Sequence, residues 1–304
     1  MDGLLIIDKE EGITSHDVVR RVRRLLGTRR VGHTGTLDPL ATGVLPVAVG
    51  RGTRLVQFFL ESGKSYRATL KFGEVTDTQD SQGQVLESHP VEGLEMQRIS
   101  EAVSSFVGST EQVPPMYSAL KKDGVPLYKL ARQGIEVERP GRLIHIDRID
   151  IMDVDLPYVT IDVDCSKGTY IRTLCHDIGQ MVGLGAHMTA LRRTRTGAFD
   201  ERSAVTLDEL GALVDSGQPP PLLSMRDALG CWEAVQVQNE GIARLANGIP
   251  PELAHVAGQP RSDSGEIVAL VDGDRLFAVA KYDPERRKEK RGDFQLLRVF
   301  PEGI

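Results

Sequence analysis

Asp38 is the only acid in the run from Gly32 to Leu45, GHTGTLDPLATGVL, and its neighbours give that carboxylate an unusual frame. Gly32, Gly35, Pro39 and Gly43 surround it, a composition that reads as a loop with special backbone angles. Pro39 fixes its own φ and pushes Asp38 into an extended conformation. Thr34, Thr36 and Thr42 place hydroxyls beside the acid. A lone Asp on a rigid loop at the mouth of a sheet has the chemistry of a nucleophile, a base or a metal ligand. An Asp-Pro pair is also an ordinary turn cap, so these residues alone leave the choice open.

The elements that must hold this loop can be read on either side of it. After it, VLPVAV alternates too little for an exposed strand and reads as a buried one. Before it, Leu4 to Asp8 reads as a short strand. Thr14 and Ser15 cap a helix whose apolar positions Val18, Val19, Val22, Leu25 and Leu26 follow helical spacing. Asp17 completes a capping-box-like arrangement with Thr14, Gly27 ends the helix, and its arginines occupy the outer face.

Further along, Lys64 to Gly73 alternates as a strand with Tyr66, Ala68, Leu70 and Phe72 on one side. Met96 to Val107 reads as a helix, broken off by Pro114 and Pro115. A basic, aromatic-bearing insertion follows to about Arg142. Strands are expected over Ile144–Val154 and Tyr158–Cys165. Thr169 to Val182 reads as a strand end running into a helix, closed by Gly183 and Gly185, with another helix around Leu207–Asp215. GQPPPLL (217–223) is linker-like. From about Trp232, short alternating segments such as IVALVD and RLFAVAKYD suggest a small β-rich unit, and PERRKEKRGD reads as a charged loop.

Composition narrows the class. A chain of 304 residues accommodates one large domain and a small one, and 40% hydrophobic with 26% charged residues is ordinary for a globular protein. No apolar run approaches the roughly 20 residues that span a bilayer, and MDGLLIIDKEEG is not a signal peptide, leaving the cytoplasm as the default. Three cysteines, Cys165, Cys175 and Cys231, without CxxC spacing argue against disulfides or zinc and for buried free thiols. The net charge of −6 is unevenly spread: six arginines and no acid lie between Arg20 and Arg30, while acids gather in 74–111, 150–164 and 200–215. Such a chain can carry a positive face on an acidic whole.

The Gly32–Leu45 run closely resembles the catalytic motif of the pseudouridine synthases, in the branch that modifies the T-loop uridine at position 55 of transfer RNA. KEEGITSHDVV, KSYRATLKFG, QVPPMYSALKKDGVPLYKLARQG, CSKGTYIRTL and MTALRRTRTG also occur in the family's order, across roughly the first two-thirds of the chain. The resemblance implies an α+β fold: a mixed, largely antiparallel sheet core with flanking helices, followed by a small β-rich, PUA-like RNA-binding domain. On that basis residues 1–230 form the catalytic domain, with a lid at about 117–142, and residues 231–304 the C-terminal domain.

The implied reaction breaks the bond between uracil N1 and ribose C1′ and joins C5 to C1′. The product is an isomer, so no cofactor or metal is expected. Asp38 is then the carboxylate, acting by attack on C1′ or by removal of the C2′ proton. Arg172 is its ionic partner. Tyr170, two residues before Arg172, shares its face if the segment is a strand. Tyr66 stacks on the flipped uracil, His33 contacts RNA or holds the flipped state, and Leu191 walls the base.

Arg192, Arg193 and Arg195 are read as phosphate contacts, and Lys121, Lys122, Lys129 and Arg132 as the lid's cations, with Tyr128 and Leu130 packing as it docks. The expected partner is the T-stem-loop of transfer RNA, and nothing in the sequence calls for an obligate protein partner, so a monomer is expected. One departure from the family is Lys9-Glu10-Glu11-Gly12, where a proline usually follows the lysine; the change is expected to tune a turn. Two other readings remain: a guide-dependent synthase subunit, and a transfer-RNA folding helper with secondary catalysis. A phosphate-cradling nucleotide loop fails, for GK[ST] and GxGxxG are both missing from the motif.

Overall fold

Strand Gly3–Lys9 is apolar throughout Leu4–Ile7 because both of its faces are covered. Leu5 and Ile7 enter the main core beside Val18, Val22 and Tyr66, whereas Leu4 and Ile6 enter a second core with Phe59, Val271 and Phe300. Strand Thr42–Val49 divides in the same way, Leu45 and Val47 to one side, Val44 and Ala48 to the other. That double burial is why VLPVAV shows no alternation.

The computed structural model describes residues 1–285 and 292–304, so most of the charged stretch PERRKEKRGD lies outside the described residues. Its main sheet has nine strands. Along its path Gly3–Lys9 pairs antiparallel with Thr42–Val49, which pairs parallel with Ala186–Thr196. Lys64–Phe72, Tyr158–Cys165, Arg142–Asp155 and Gly108–Gln112 then follow, each antiparallel to the last. Short strands Val31–His33 and Phe199–Asp200 attach at the side. The sheet is therefore mixed and largely antiparallel, as expected.

Helices Ser15–Leu25, Met96–Ser104, Ile171–Val182 and Leu207–Asp215 supply apolar faces to the main core. The capping box of Thr14 with Asp17 opens the first, and Arg20, Arg21, Arg23 and Arg24 line its exposed side. A second, four-stranded sheet is built from Glu233–Gln236, Ile267–Asp272, Arg275–Tyr282 and Phe294–Val299. It meets the first strands through the second core, with Trp232 edge-on to Phe58 at 5.4 Å and Arg54 over Phe300 at 4.8 Å.

Several expectations are corrected. Thr169–Val182 contains no strand: Tyr170 is the extended N-cap of helix Ile171–Val182, so the period-two relation to Arg172 does not hold. The helix at Met96 stops at Ser104, and the edge strand Gly108–Gln112 intervenes before the prolines. MTALRRTRT lies in a central strand whose alternation is interrupted by two register shifts. GQPPPLL is no free linker, because Leu223 exchanges both backbone hydrogen bonds with Leu4, at 3.0 and 2.9 Å. Cys165 and Cys175 are buried thiols, pushed by burial up to about 11 and about 12, but Cys231 is exposed.

Candidate active site

The loop around Asp38 is held by its backbone. Ser15 Oγ accepts from Leu37 N at 2.8 Å and lies 3.1 Å from Leu37 O. Ala41 N donates to Asp38 O at 3.0 Å, and Gly12 N to Pro39 O at 2.8 Å. Lys9, fully buried at the end of the first strand, donates from Nζ to Ala41 O at 2.6 Å and Pro39 O at 3.2 Å. Burial pushes the Lys9 ammonium down to about 8, against the pull of the Asp38 charge. Gly43 has φ +97°, and a Cβ there would sit 2.3 Å from Arg193 O. The glycine thus lets the loop's exit strand press against its parallel neighbour.

With the backbone fixed, the carboxylate is aimed by one side chain. Arg172 Nε lies 2.9 Å from Asp38 Oδ2; Arg172 is 5% exposed while the Asp38 side chain keeps 38% of its surface open. The remaining nitrogens of Arg172 are also committed. Nη1 donates to Thr78 O at 3.0 Å and lies 3.5 Å from Asp80 Oδ2, and Nη2 donates to Tyr117 O at 2.7 Å. A guanidinium so enclosed holds one orientation, because its planar fork meets an acceptor on each side. Asp80 is itself fixed by Thr78 Oγ1 at 2.6 Å and Gln82 N at 3.0 Å.

Two tyrosines lie within range of the Asp38 charge. Tyr66 is nearly buried on strand Lys64–Phe72, and Tyr170 is about half-buried at the helix start. Burial pushes both phenols up, and each also feels the Asp38 charge. The Tyr170 peptide is clasped by the buried Gln112, whose amide accepts from Tyr170 N at 2.8 Å and donates to Tyr170 O at 3.1 Å. Leu191 is a buried cross-strand neighbour of Ala68 in the main core. His33 ends strand Val31–His33, accepts from Gly35 N at 3.4 Å, and has its imidazole pushed down by burial.

The segment expected to act as a lid carries structure of its own: a hairpin pairing Lys121–Lys122 with Val125–Pro126, then helix Leu127–Ala131. Lys121, Lys122, Lys129 and Arg132 are exposed, and Arg132 covers the Tyr128 ring at 5.7 Å. The expectation for the triple-arginine strand needs correction. Arg193 is 1% exposed and donates to main-chain carbonyls, so it has no path to a phosphate. Arg192 is engaged by Asp8, at 2.8 and 3.1 Å, and by Glu201. Arg195 binds Ser65 Oγ, Gly197 O and Asp164.

The sequence reading passed over three contributors. Asp80 lies in TDTQDSQG, the polar turn between the short paired strands Glu74–Thr76 and Val85–Ser88 that follow the Tyr66 strand, where two aspartates among hydroxyls are the available signal. Gln112 closes an edge strand in the stretch between the expected helix end at Val107 and the prolines, to which the sequence assigns no element. In sequence Lys9 reads as part of a turn, although a lysine ending an apolar strand is a candidate for burial.

Sequence comparison bears on the same residues. The family described as TruB family pseudouridylate synthase, N-terminal domain, matches residues 23–171, and the tRNA pseudouridylate synthase B C-terminal domain matches residues 172–222. The tRNA pseudouridine synthase B of Syntrophotalea carbinolica is 52% identical over 303 residues, covering 100% of this chain and 99% of that one. Its namesake in Geobacter sulfurreducens is 47% identical, covering 99% and 100%. Among solved structures, the archaeal box H/ACA sRNP Nop10–Cbf5 complex aligns with TM-score 0.74 at 28% identity, over 98% of this chain and 85% of that one. An H/ACA RNP bound to a substrate RNA containing 2′-deoxyuridine aligns with TM-score 0.73 at 26% identity, over 98% and 84%. The chain belongs to the TruB family of pseudouridine synthases.

Proposed function

We propose that this chain isomerises uridine to pseudouridine at position 55 in the T-loop of transfer RNA, with Asp38 as the catalytic carboxylate. The observation that carries the reading is the Asp38–Arg172 pair: a half-open acid held at 2.9 Å by a buried cation. Attack at C1′ and proton removal at C2′ both require a carboxylate, and the buried guanidinium aims this one. Its openness leaves an oxygen free for the ribose.

Tyr66 stacks on the extruded uracil, Tyr170 bounds the same space, and Leu191 supplies an apolar wall; base stacking on an aromatic contributes about 1–3 kcal/mol. His33, at the loop entrance, contacts the RNA. Lys121, Lys122, Lys129 and Arg132 meet phosphates from the lid, joined by the exposed arginines of the first helix. Because Arg172 holds Tyr117 O, the root of the lid and the catalytic carboxylate share one guanidinium. Residues 1–230 form the catalytic body and residues 231–304 an RNA-binding, PUA-like unit. The enzyme works without cofactor, as a cytoplasmic monomer. The stand-alone reading is favoured over a ribonucleoprotein subunit by the 52% identity, across the full chain, to a protein named for transfer RNA.

The test is to incubate the purified chain with unmodified transfer RNA and map carbodiimide adducts by primer extension. A stop at position 55 with no other component supports the reading; a requirement for an added guide RNA or protein overturns it.

A further inference from the structure

Arg193 is an anomaly. Its neighbours Arg192 and Arg195 are paired with carboxylates, whereas Arg193 meets no carboxylate within ion-pair reach among the described residues, at 1% exposure. A buried cation without a counter-charge is costly, and the surroundings add to that cost. Lys9, Lys64 and His33, each already pushed down by burial, are pushed further by the Arg193 charge. Lysine 64 itself is 8% exposed and held by Ser62 O at 2.7 Å.

The compensation lies in main-chain oxygens. Arg193 Nε donates to Val44 O at 2.7 Å, and its two terminal nitrogens reach Thr36 O and Gly35 O, each at 3.4 Å. These carbonyls lie on both sides of Asp38. In the sheet Arg193 stands directly between Gly43, its parallel partner, and Tyr66, its antiparallel partner. One residue therefore touches the loop's approach, its exit strand and the strand position of Tyr66 itself.

We infer that Arg193 is a positioning residue, which fixes the Gly35–Val44 loop against the Tyr66 strand so that the Asp38 carboxylate and the Tyr66 ring face the same ribose and base. It contacts no substrate. The inference rests on the assignment of Asp38 as the catalytic acid. An error of about 1 Å in a reacting group costs on the order of 100-fold in rate, whereas phosphate contacts on the lid and first helix are untouched.

The experiment measures single-turnover tritium release from transfer RNA carrying [5-³H]uridine, with filter binding and a thermal melt on the same preparations of wild type, R193M, R193K and D38N. Single turnover isolates the chemical step from product release. R193M is expected to react about 100-fold more slowly with Kd within about 3-fold of wild type. R193K keeps the charge but has one nitrogen for carbonyls on two segments, so it is expected to recover part of the rate, leaving a deficit of about 10-fold. A folded R193M that reacts at the wild-type rate overturns the inference. If R193M does not fold, R193K decides: a wild-type rate overturns, and a slowed rate with unchanged Kd supports. Active D38N would instead overturn the Asp38 assignment itself, whatever the arginine variants do.

Discussion

Arg172 Nε and Asp38 Oδ2 are 2.9 Å apart, and the two residues reach each other from opposite sides of a sequence gap. The acid rides on a loop whose peptides are tied to Ser15, Lys9 and Gly12. The guanidinium rides on a helix whose first residues are tied to Gln112 and Tyr117. Each element is anchored independently, so the ion pair reports the alignment of two rigid parts.

Arg172→Lys keeps the charge but cannot meet Asp38, Thr78 O and Tyr117 O together. Single-turnover release should fall by about 100-fold with little change in Kd. A variant with normal turnover would show that charge alone, without the fork, suffices.

Tyr66→Phe removes a hydroxyl and keeps the ring proposed to stack on the uracil. Turnover is expected to fall more than affinity, since a lost transition-state contact lowers kcat and a lost ground-state contact raises KM. An unchanged kcat would return Tyr66 to a packing role.

Lys64 supplies a pH test. Burial holds its ammonium at about 8 in the fold, below the ordinary 10.5. Between those values the unfolded chain binds a proton that the native chain does not, so stability rises with pH there, by up to about 1.4 kcal/mol per pH unit. The cost of the buried charge is complete below about 8 and is relieved as pH rises. Chemical denaturation from pH 7 to 10 should therefore show Lys64→Met with a shallower rise than wild type. Parallel curves would contradict the assignment.

How far the site was readable in the sequence depended on whether function rested on a local signal. Asp38 stood out because a proline and three glycines frame it within one loop. Tyr66 was placed by strict alternation, which survives in a strand buried on one side. Tyr170 and Arg172 were identified by motif but given strand geometry; Gly168 and the lack of a Ser, Thr, Asp or Asn cap concealed the helix start. Arg193 was misread because clustered arginines look alike in sequence. Only the sheet register puts Arg193 inside while Arg192 and Arg195 find acids from distant strands. Asp80 and Gln112 act through contacts spanning more than 50 residues, which no local pattern encodes.

That distinction has its own test in salt dependence. Replacing the exposed Lys121 and Lys122 together by Ala should weaken transfer RNA binding and reduce the slope of log K against log salt by about 1 to 2. Arg192→Ala should leave the slope unchanged, because its guanidinium already serves Asp8 and Glu201. A reduced slope for Arg192→Ala would restore it as a phosphate contact.

The most direct measurement compares tritium release by the wild-type chain and Asp38→Asn on unmodified transfer RNA labelled with [5-³H]uridine. The expected result is release by wild type alone, lost when the position-55 uridine is replaced, with Asp38→Asn still binding the RNA. Substantial turnover by Asp38→Asn would contradict the central claim that this carboxylate performs the chemistry.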